Sequence, residues 1–380
     1  MLRLTKAQMG RKGNTMNTLM DAYKQWSSRP ADERFQDLLS LKSSVDGRRA
    51  ISRTKVVEIG DLKAHAISDD DLRITSSQPG LGDMVPSNWA FSQTSLRAGA
   101  PSGYLRKLPA PLAADCLNHS MGELARTTDG KDLKVLVRDH DEHAQLDAMT
   151  GHKYGRIWDS EVVQLAIDIK DWSAGTGKEF YNPKDWNGNP SGLYAGDRDC
   201  FIFMIDGGSM LDIGPRAQLN RGFFMWNSEV GSKTFGLKTF FFNVVCGNHM
   251  VWDPTGVQEL KIRHTLNGHY RFMDEARPFL QEVAMESLAP MESAVKAAIT
   301  YELDDPNDLD ATSKWLQRRG FTKAEARNGF DYALKEEGKC ETLWDLTQGI
   351  TAYARDMATL DARTDLETRA GKLMNIVSGN

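Results

Sequence analysis

The sequence predicts an α+β fold, with a central antiparallel sheet built around a β-β-β-α core and a helical C-terminal tail. Three observations predict it. Arg221–Trp252 reads as two long apolar-aromatic strands around a Gly-containing turn, and runs this rich in Phe, Val and Trp belong in a sheet core. Phe201–Asp206, Phe223–Asn227 and Phe235–Val245 form a three-strand meander, with a helix expected from Thr255. From Met273 onward Ala, Glu, Leu and Lys dominate at helical spacing.

The elements follow in order. Residues 1–14 form a basic arm, and short helices are expected near 15–26 and 31–41, the second opening at Pro30 with Asp32 and Glu33 in its first turn. Val56–Ile59 reads as a strand and Gln78–Pro86 as a Gly/Pro-rich loop. Ser87 can cap a helix to about Ala98, Tyr104–Leu108 makes one or two helical turns, and Pro109 or Pro111 opens a helix to about Leu124. Leu133–Arg138 and Tyr154–Trp158 read as strands, and Asp159 or Ser160 caps a helix over Glu161–Trp172. Residues 173–197 are rich in Gly, Asn, Pro and Asp, which is long for a structureless connection and suggests a functional or mobile loop. Pro278, Pro290, Pro306 and Gly320 cut the region after Met273 into four to six helices.

Composition bounds the class. The 380 residues, 40% hydrophobic and 26% charged, suit a globular protein with more than one core. No apolar run approaches bilayer length, and the basic, polar Leu2–Gly13 is followed by no apolar segment, so neither a membrane span nor a signal peptide is expected. Cys116, Cys200, Cys246 and Cys340 are widely spaced and form no CxxC pair, which fits buried thiols in a reducing host-cell cytoplasm. Three segments are expected: 1–63, basic with short helices; 64–300, the mixed core; and 301–380, a separable helical appendage. Pro306 and the acidic Asp304, Asp305, Asp308 and Asp310 mark the last boundary. The net charge of −5 is unevenly spread. Residues 1–63 carry 13 Lys+Arg against 7 Asp+Glu, and residues 216–271 carry 7 against 3, whereas residues 64–215 carry 14 against 22.

Five ordered motifs carry a resemblance: Trp26–Phe35 (WSSRPADERF), Tyr104–Pro109 (YLRKLP), Tyr154–Asp159 (YGRIWD), Arg221–Gly231 (RGFFMWNSEVG) and Val245–His249 (VCGNH). Over roughly residues 20–300 the chain resembles a phage- and plasmid-borne family known only as a domain of unknown function, and the tail from 301 resembles nothing. The resemblance implies a mobile-element context and its DNA metabolism. A weaker likeness of the β-β-β-α core to ring-forming single-strand annealing proteins points the same way.

Several constellations compete. Arg48, Arg49, Arg53 and Lys55 lie beside a predicted strand, and Arg221, Lys233, Lys238, Lys261, Arg263 and Arg271 cluster about the meander. With Phe223, Trp226 and Trp252 they offer the phosphate neutralisation and base stacking that single-strand binding needs, or else a solvated charged face over an aromatic core. Cys246, His249, His264 and His269 have a tolerable zinc spacing, but one Cys with three His is an uncommon structural set, and no stoichiometric zinc is expected. Glu229 with His249 would make an acid/base pair lacking a nucleophile. Asp159, Glu161, Asp197 and Asp199 would make a carboxylate metal cluster, although Asp159 is more simply a helix cap. Trp315–Leu334 reads as two helices around Gly320, a DNA-reading pair or packed helices. The leading expectation is a non-enzymatic phage protein that binds single-stranded DNA as a homo-oligomer, without cofactor, its acidic tail facing a protein partner. A metal-dependent enzyme acting on nucleic acid and an interaction protein modulating host factors are the alternatives.

Overall fold

The computed structural model describes residues 33–126, 132–183, 192–214, 217–243, 258–354, 356–357, 366 and 369–377. Two six-stranded sheets organise them, giving the α+β class. The first contains β1 (Ser52–Glu58), β2 (Leu62–Ala66), β3 (Leu72–Ser76), β4 (Gly82–Pro86), β5 (Asp132–Asp139) and β6 (Ala144–Gly151), in the order β1-β5-β6-β4-β3-β2. All its pairs are antiparallel except β4 with β6. The second contains β7 (Phe180–Tyr181), β8 (Leu193–Ala195), β9 (Cys200–Asp212), β10 (Gln218–Asn227), β11 (Phe235–Asn243) and β12 (Glu259–Ile262). Its order is β12-β11-β10-β9-β7, with β8 also paired to β9, and every pair is antiparallel.

The helices are α1 (Leu38–Ala50), α2 (Asn88–Arg97), α3 (Ser102–Leu105), α4 (Ala110–Ala125), α5 (Asp159–Ser173), α6 (Gly268–Met285), α7 (Ala289–Thr300), α8 (Leu309–Gln317), α9 (Lys323–Glu337) and α10 (Leu343–Ala354). Their limits have local causes. The Asp37 carboxylate caps α1 by accepting from Ser40 N at 2.7 Å, and Ser87 caps α2 as the sequence predicts. Pro109 opens α4, and Thr322 with Glu325 forms a capping box on α9, which ends at left-handed Gly338 (φ 76°).

Some expectations are corrected. The second N-terminal helix runs over Leu38–Ala50, past the predicted end at 41, because the Asp37 cap starts it there. Gln78–Pro86 is no pure loop: β4 occupies its second half, and β2, β3 and β6 went unpredicted. β2 and β3 are short and only partly buried, and the longer, mostly buried β6 is interrupted by the polar Asp147 and Thr150. Tyr154–Trp158 is irregular backbone, not a strand. Gly155 meets the chain after β12, where a Cβ would lie 1.8 Å from Thr265 O, so this segment packs edge-on against another backbone. The meander has a fourth described strand, β12, and the helix that follows starts at Gly268. Pro278 lies inside α6 without ending it; Phe272, Ala276, Leu280 and Ala284 hold the helix against the second sheet across the missing donor. The basic arm and the first predicted helix lie outside the described residues.

Packing explains the unbroken aromatic runs of β9 and β10. Both faces are buried: Ile202, Met204, Phe223 and Met225 face α5 and α6, while Phe201, Phe203, Phe224 and Trp226 form an aromatic cluster on the other side. Gly236 is required opposite Trp226, since a Cβ there would stand 1.9 Å from the indole. The first sheet packs one face on α2 and α4 through Ile74, Met84, Phe91, Leu117 and Val135.

One apolar cluster crosses the boundary expected at 300/301. It joins Leu219 and Phe241 of the second sheet and Val295 of α7 to Trp315, Leu316, Phe330, Trp344 and Ile350 of the tail. Within the tail, backbone bonds span the acidic stretch around Pro306: Leu303 N to Glu341 O at 2.8 Å and Leu343 N to Tyr301 O at 2.9 Å. Truncation after Leu303 is therefore expected to uncover this cluster and yield an insoluble or dye-binding chain. The point variant Trp344→Ala should cost about 3–5 kcal/mol, read by urea unfolding. A soluble, cooperatively unfolding 1–303 fragment would count against a shared core.

Candidate nucleic-acid interface

The turn Asn227–Ser232, between β10 and β11, is where the two sheets meet. Val230 enters the outer face of the first sheet against Leu136 and Ala148, with Trp89 and Trp158 beside it. Its carbonyl accepts from Trp89 Nε1 at 3.0 Å and Gln93 Nε2 at 2.9 Å. Gly231 takes the left-handed conformation (φ 84°) that lets the chain return. Ser228 Oγ donates to Arg198 O at 2.5 Å and accepts from Ser232 N at 2.9 Å, while Tyr154 Oη donates to Ser228 O at 2.9 Å.

A buried ion network underlies the turn. Glu229 accepts from Arg138 of β5, whose guanidinium also stands 2.9 Å from Asp147 of β6. Glu229 Oε2 accepts from Asp159 N at 3.2 Å, placing its charge at the N-terminus of α5. Asn227 Nδ2 donates to Asp159 Oδ1 at 2.7 Å and to Ile157 O at 2.9 Å. Arg48 of α1 lies 3.8 Å from Asp159 and donates to Gly196 O at 2.8 Å. Arg138, Asp147, Asp159, Asn227 and Glu229 are all buried. Burial raises the Asp159 carboxyl above its ordinary range, and the neighbouring Glu229 charge raises it further. Burial raises Asp147 too, against the pull of Arg138.

Beside the network runs a column of rings and guanidinium groups. His264 stacks on Tyr154 with centroids 4.9 Å apart. The Arg156 guanidinium is 5.3 Å from the Tyr154 ring and 5.5 Å from that of Trp158, and Arg49 lies 4.0 Å from Trp158. Arg156 is only 7% exposed, and none of its three guanidinium nitrogens has a hydrogen-bond partner among the described residues. Burial lowers its pKa. Ring faces offset part of the cost of an unpaired buried cation.

Further out, cations sit on rings at the surface. Arg198 lies 5.2 Å from the Trp89 ring and Arg106 4.5 Å from Phe91. Arg106 also donates to Asn88 O at 2.7 Å and to Ser92 Oγ at 2.9 Å. Neither arginine has a carboxylate partner among the described residues. Partial burial lowers the Arg106 pKa, and the nearby Arg198 charge lowers it further. Tyr104 and Lys107, close to Arg106 in sequence, are exposed as well.

The basic residues singled out in the sequence are mostly engaged within the fold. Arg48 and Arg49 turn toward the network, and Arg53 makes a two-pronged pair with Asp139 at 2.6 and 2.7 Å. Lys55 donates to Pro79 O. Arg221 is buried and caps the end of α6, donating to Val283 O at 2.6 Å and Glu286 O at 2.8 Å. Lys233 lies 3.4 Å from Asp199, Lys261 2.9 Å from Glu259, and Arg271 grips Glu275 at 2.6 and 2.8 Å. Lys238 and Trp226 are buried, and Phe223 is in the core. Arg263 is exposed and unpaired among the described residues. The residues missed are Trp89, Arg106, Arg156 and Arg198. Arg106 and Arg156 stand beside aromatics in YLRKLP and YGRIWD, which was the available signal; Arg198 lies in an acidic stretch and gave none.

Cys246, His249 and Trp252 lie outside the described residues. His264 is in the ring column, and His269 is 3.4 Å from Glu161. Asp159 belongs to the ion network, Glu161 accepts from Trp158 N at 3.2 Å, Asp199 pairs with Lys233 and Asp197 is exposed. Among the described residues no group of three or more His, Cys, Asp or Glu is placed to hold a metal ion. Trp315, Leu316, Phe321 and Phe330 of the predicted helix pair are buried in the tail core. No described helix is long and apolar enough to cross a membrane.

These features define an α+β protein whose two sheets are joined by a buried ion network under an arginine–aromatic rim. A family model described as a domain of unknown function (DUF932) matches residues 177–375, and the chain belongs to that family. The match takes in the tail, which the motifs did not reach, and begins after the first three motifs. No curated protein and no solved structure matches the chain.

Two outcomes test the network. Arg138→Met leaves Asp147 and Glu229 without their cation and should cost about 3–5 kcal/mol by urea unfolding, more at pH 8 than at pH 5. Asp159 has a folded pKa above its unfolded one, so its favourable contribution is complete below the unfolded pKa and is lost as pH rises through the folded value. Asp159→Asn keeps an acceptor for Asn227 and should flatten the decline of stability with rising pH. An unchanged pH profile would mean that Asp159 is ionised throughout.

Proposed function

We propose that this protein binds single-stranded DNA and supports annealing, recombination or replication of a phage or plasmid genome, acting as a homo-oligomer in the host cytoplasm. The observation that carries the reading is the pair Arg106 and Arg198: two like charges held near each other on aromatic rings at the surface, with no carboxylate partner among the described residues. A phosphate between them relieves that repulsion, and the exposed Tyr104 ring, two residues before Arg106, suits an unstacked base. This reading carries a preference for single strands, since stacking needs bases that a duplex hides. Because most of the cations flagged in the sequence are engaged within the fold, our reading sets the interface at this rim and not at the β1 and meander clusters.

Fluorescence anisotropy with labelled single-stranded and duplex DNA tests the reading. Single strands should bind more tightly, with log affinity falling linearly in log salt by about 0.7 per neutralised phosphate. Arg198→Glu, at an exposed position, should weaken binding and shallow that slope while leaving the unfolding curve unchanged. Absence of binding at low salt, or binding indifferent to salt, would sink the proposal. Light scattering with and without DNA reads the oligomer.

A further inference from the structure

Helix α6 packs one face on the second sheet through Phe272, Ala276, Leu280 and Ala284 and turns the other outward. The outer face carries large apolar side chains: Tyr270 is 69% exposed, Met273 60% and Met285 58%, and Leu266, just before the helix, is 60% exposed. Two exposed carboxylates accompany them, Asp274 and Glu282, neither with an ion-pair partner among the described residues. Two half-exposed arginines are held only at the surface: Arg277 lies 3.9 Å from Asp168 of α5, and Arg271 grips Glu275 one turn on. Exposed apolar side chains set among unpaired charges mark an interaction surface.

The order of these residues fits a second copy of the same helix turned end over end. A two-fold contact brings residue i onto j and j onto i. With the axis between Glu275 and Ala276, Asp274 comes level with Arg277 of the second copy, Met273 with Pro278, Tyr270 with Gln281, and Leu266 with Met285. Glu282 falls on the same flank as Arg271 of the second copy, offset by about 3 Å along the axis. Each carboxylate left unpaired within one chain thus meets an arginine of the other, and no level sets like charges opposite each other. A parallel arrangement would stack Asp274 on Asp274 and Arg277 on Arg277. The carboxylates also repel a phosphate chain, which separates this face from the rim around Arg106 and Arg198.

We propose that the outer face of α6 is the contact between two copies of this chain, packed antiparallel about a two-fold axis between Glu275 and Ala276. Tyr270 and Met273 lie in the contact, and the pairs Asp274–Arg277 and Glu282–Arg271 are exchanged between copies. The proposal rests on the homo-oligomer in the reading above and names the surface that forms it.

Sedimentation velocity over a range of concentrations should show a dimer in the wild type. Tyr270→Glu/Met273→Glu alters only exposed side chains and should raise the dimer Kd at least about tenfold with the unfolding curve unchanged. Cysteine cross-linking reads the register. Counterparts at position 274 lie about 5 Å apart along the axis, and those at 282 about 20 Å apart. Mild oxidation should therefore link Asp274→Cys chains into dimers above the wild-type level and leave Glu282→Cys chains at that level. A dimer that survives Tyr270→Glu/Met273→Glu, or equal linking of the two cysteine variants, overturns this surface while the oligomer stands. A wild type that stays monomeric throughout overturns both the surface and the oligomer, and DNA binding is read separately by anisotropy.

Discussion

The fold depends on one buried cation. Arg138 rises from β5 on the outer face of the first sheet and meets Asp147 beside it and Glu229 from the second sheet's turn. Desolvating three charges is expensive, and their mutual attraction repays it only with good geometry and further hydrogen bonds. Those bonds are present: Glu229 also takes the first amide of α5, Asn227 holds Asp159, and Arg48 closes the far side from α1. The network thereby fixes β5, β6, the β10–β11 turn, α5 and α1 relative to one another. Apolar packing at this seam is small by comparison, Leu136, Ala148 and Val230 forming its buried part. Geometry-sensitive charges, more than shape, set how the two sheets register.

That arrangement determines what stands at the surface. The turn held by Glu229 presents Ser228 and Val230 carbonyls to Tyr154, Trp89 and Gln93, so the rings on both sides are pinned by their polar atoms. Pinned rings then carry the cations: Arg156 within, Arg106 and Arg198 outside. An arginine on a ring keeps its charge while losing rotamer freedom, which lowers the cost of ordering it on a ligand.

The tail belongs to the same structure. Its helices cover the end of the second sheet opposite the network, so β10 and the first half of β9 are buried by two different layers. The family match from 177 to 375 spans this sheet and tail together and leaves the first sheet outside it. The piece shared across the family is thus the sheet that contributes the turn, Glu229 and the tail core.

What the sequence by itself determined is the local and the strongly patterned. Caps such as Ser87, the proline starts of α4 and α7, the aromatic strands of β9 to β11 and the helical tail are all written in a few adjacent residues, because propensity and capping act over one or two turns. Only the tertiary structure decided the rest. β2, β3 and β4 are short and weakly patterned; β2–β3, β3–β4 and β5–β6 are local antiparallel pairs, but the parallel β4–β6 pair that joins them into one sheet links segments far apart along the chain. The tail's boundary looked like a linker because charge repels locally, yet the apolar residues beyond it find partners near 219 and 241. The cations of the candidate site could be counted in the sequence, but not whether each meets a carboxylate. Arg53 meets Asp139 and Lys233 meets Asp199, whereas Arg106 and Arg198 meet rings, and that distinction exists only once separate segments are brought within a few ångströms, where electrostatic interactions become large.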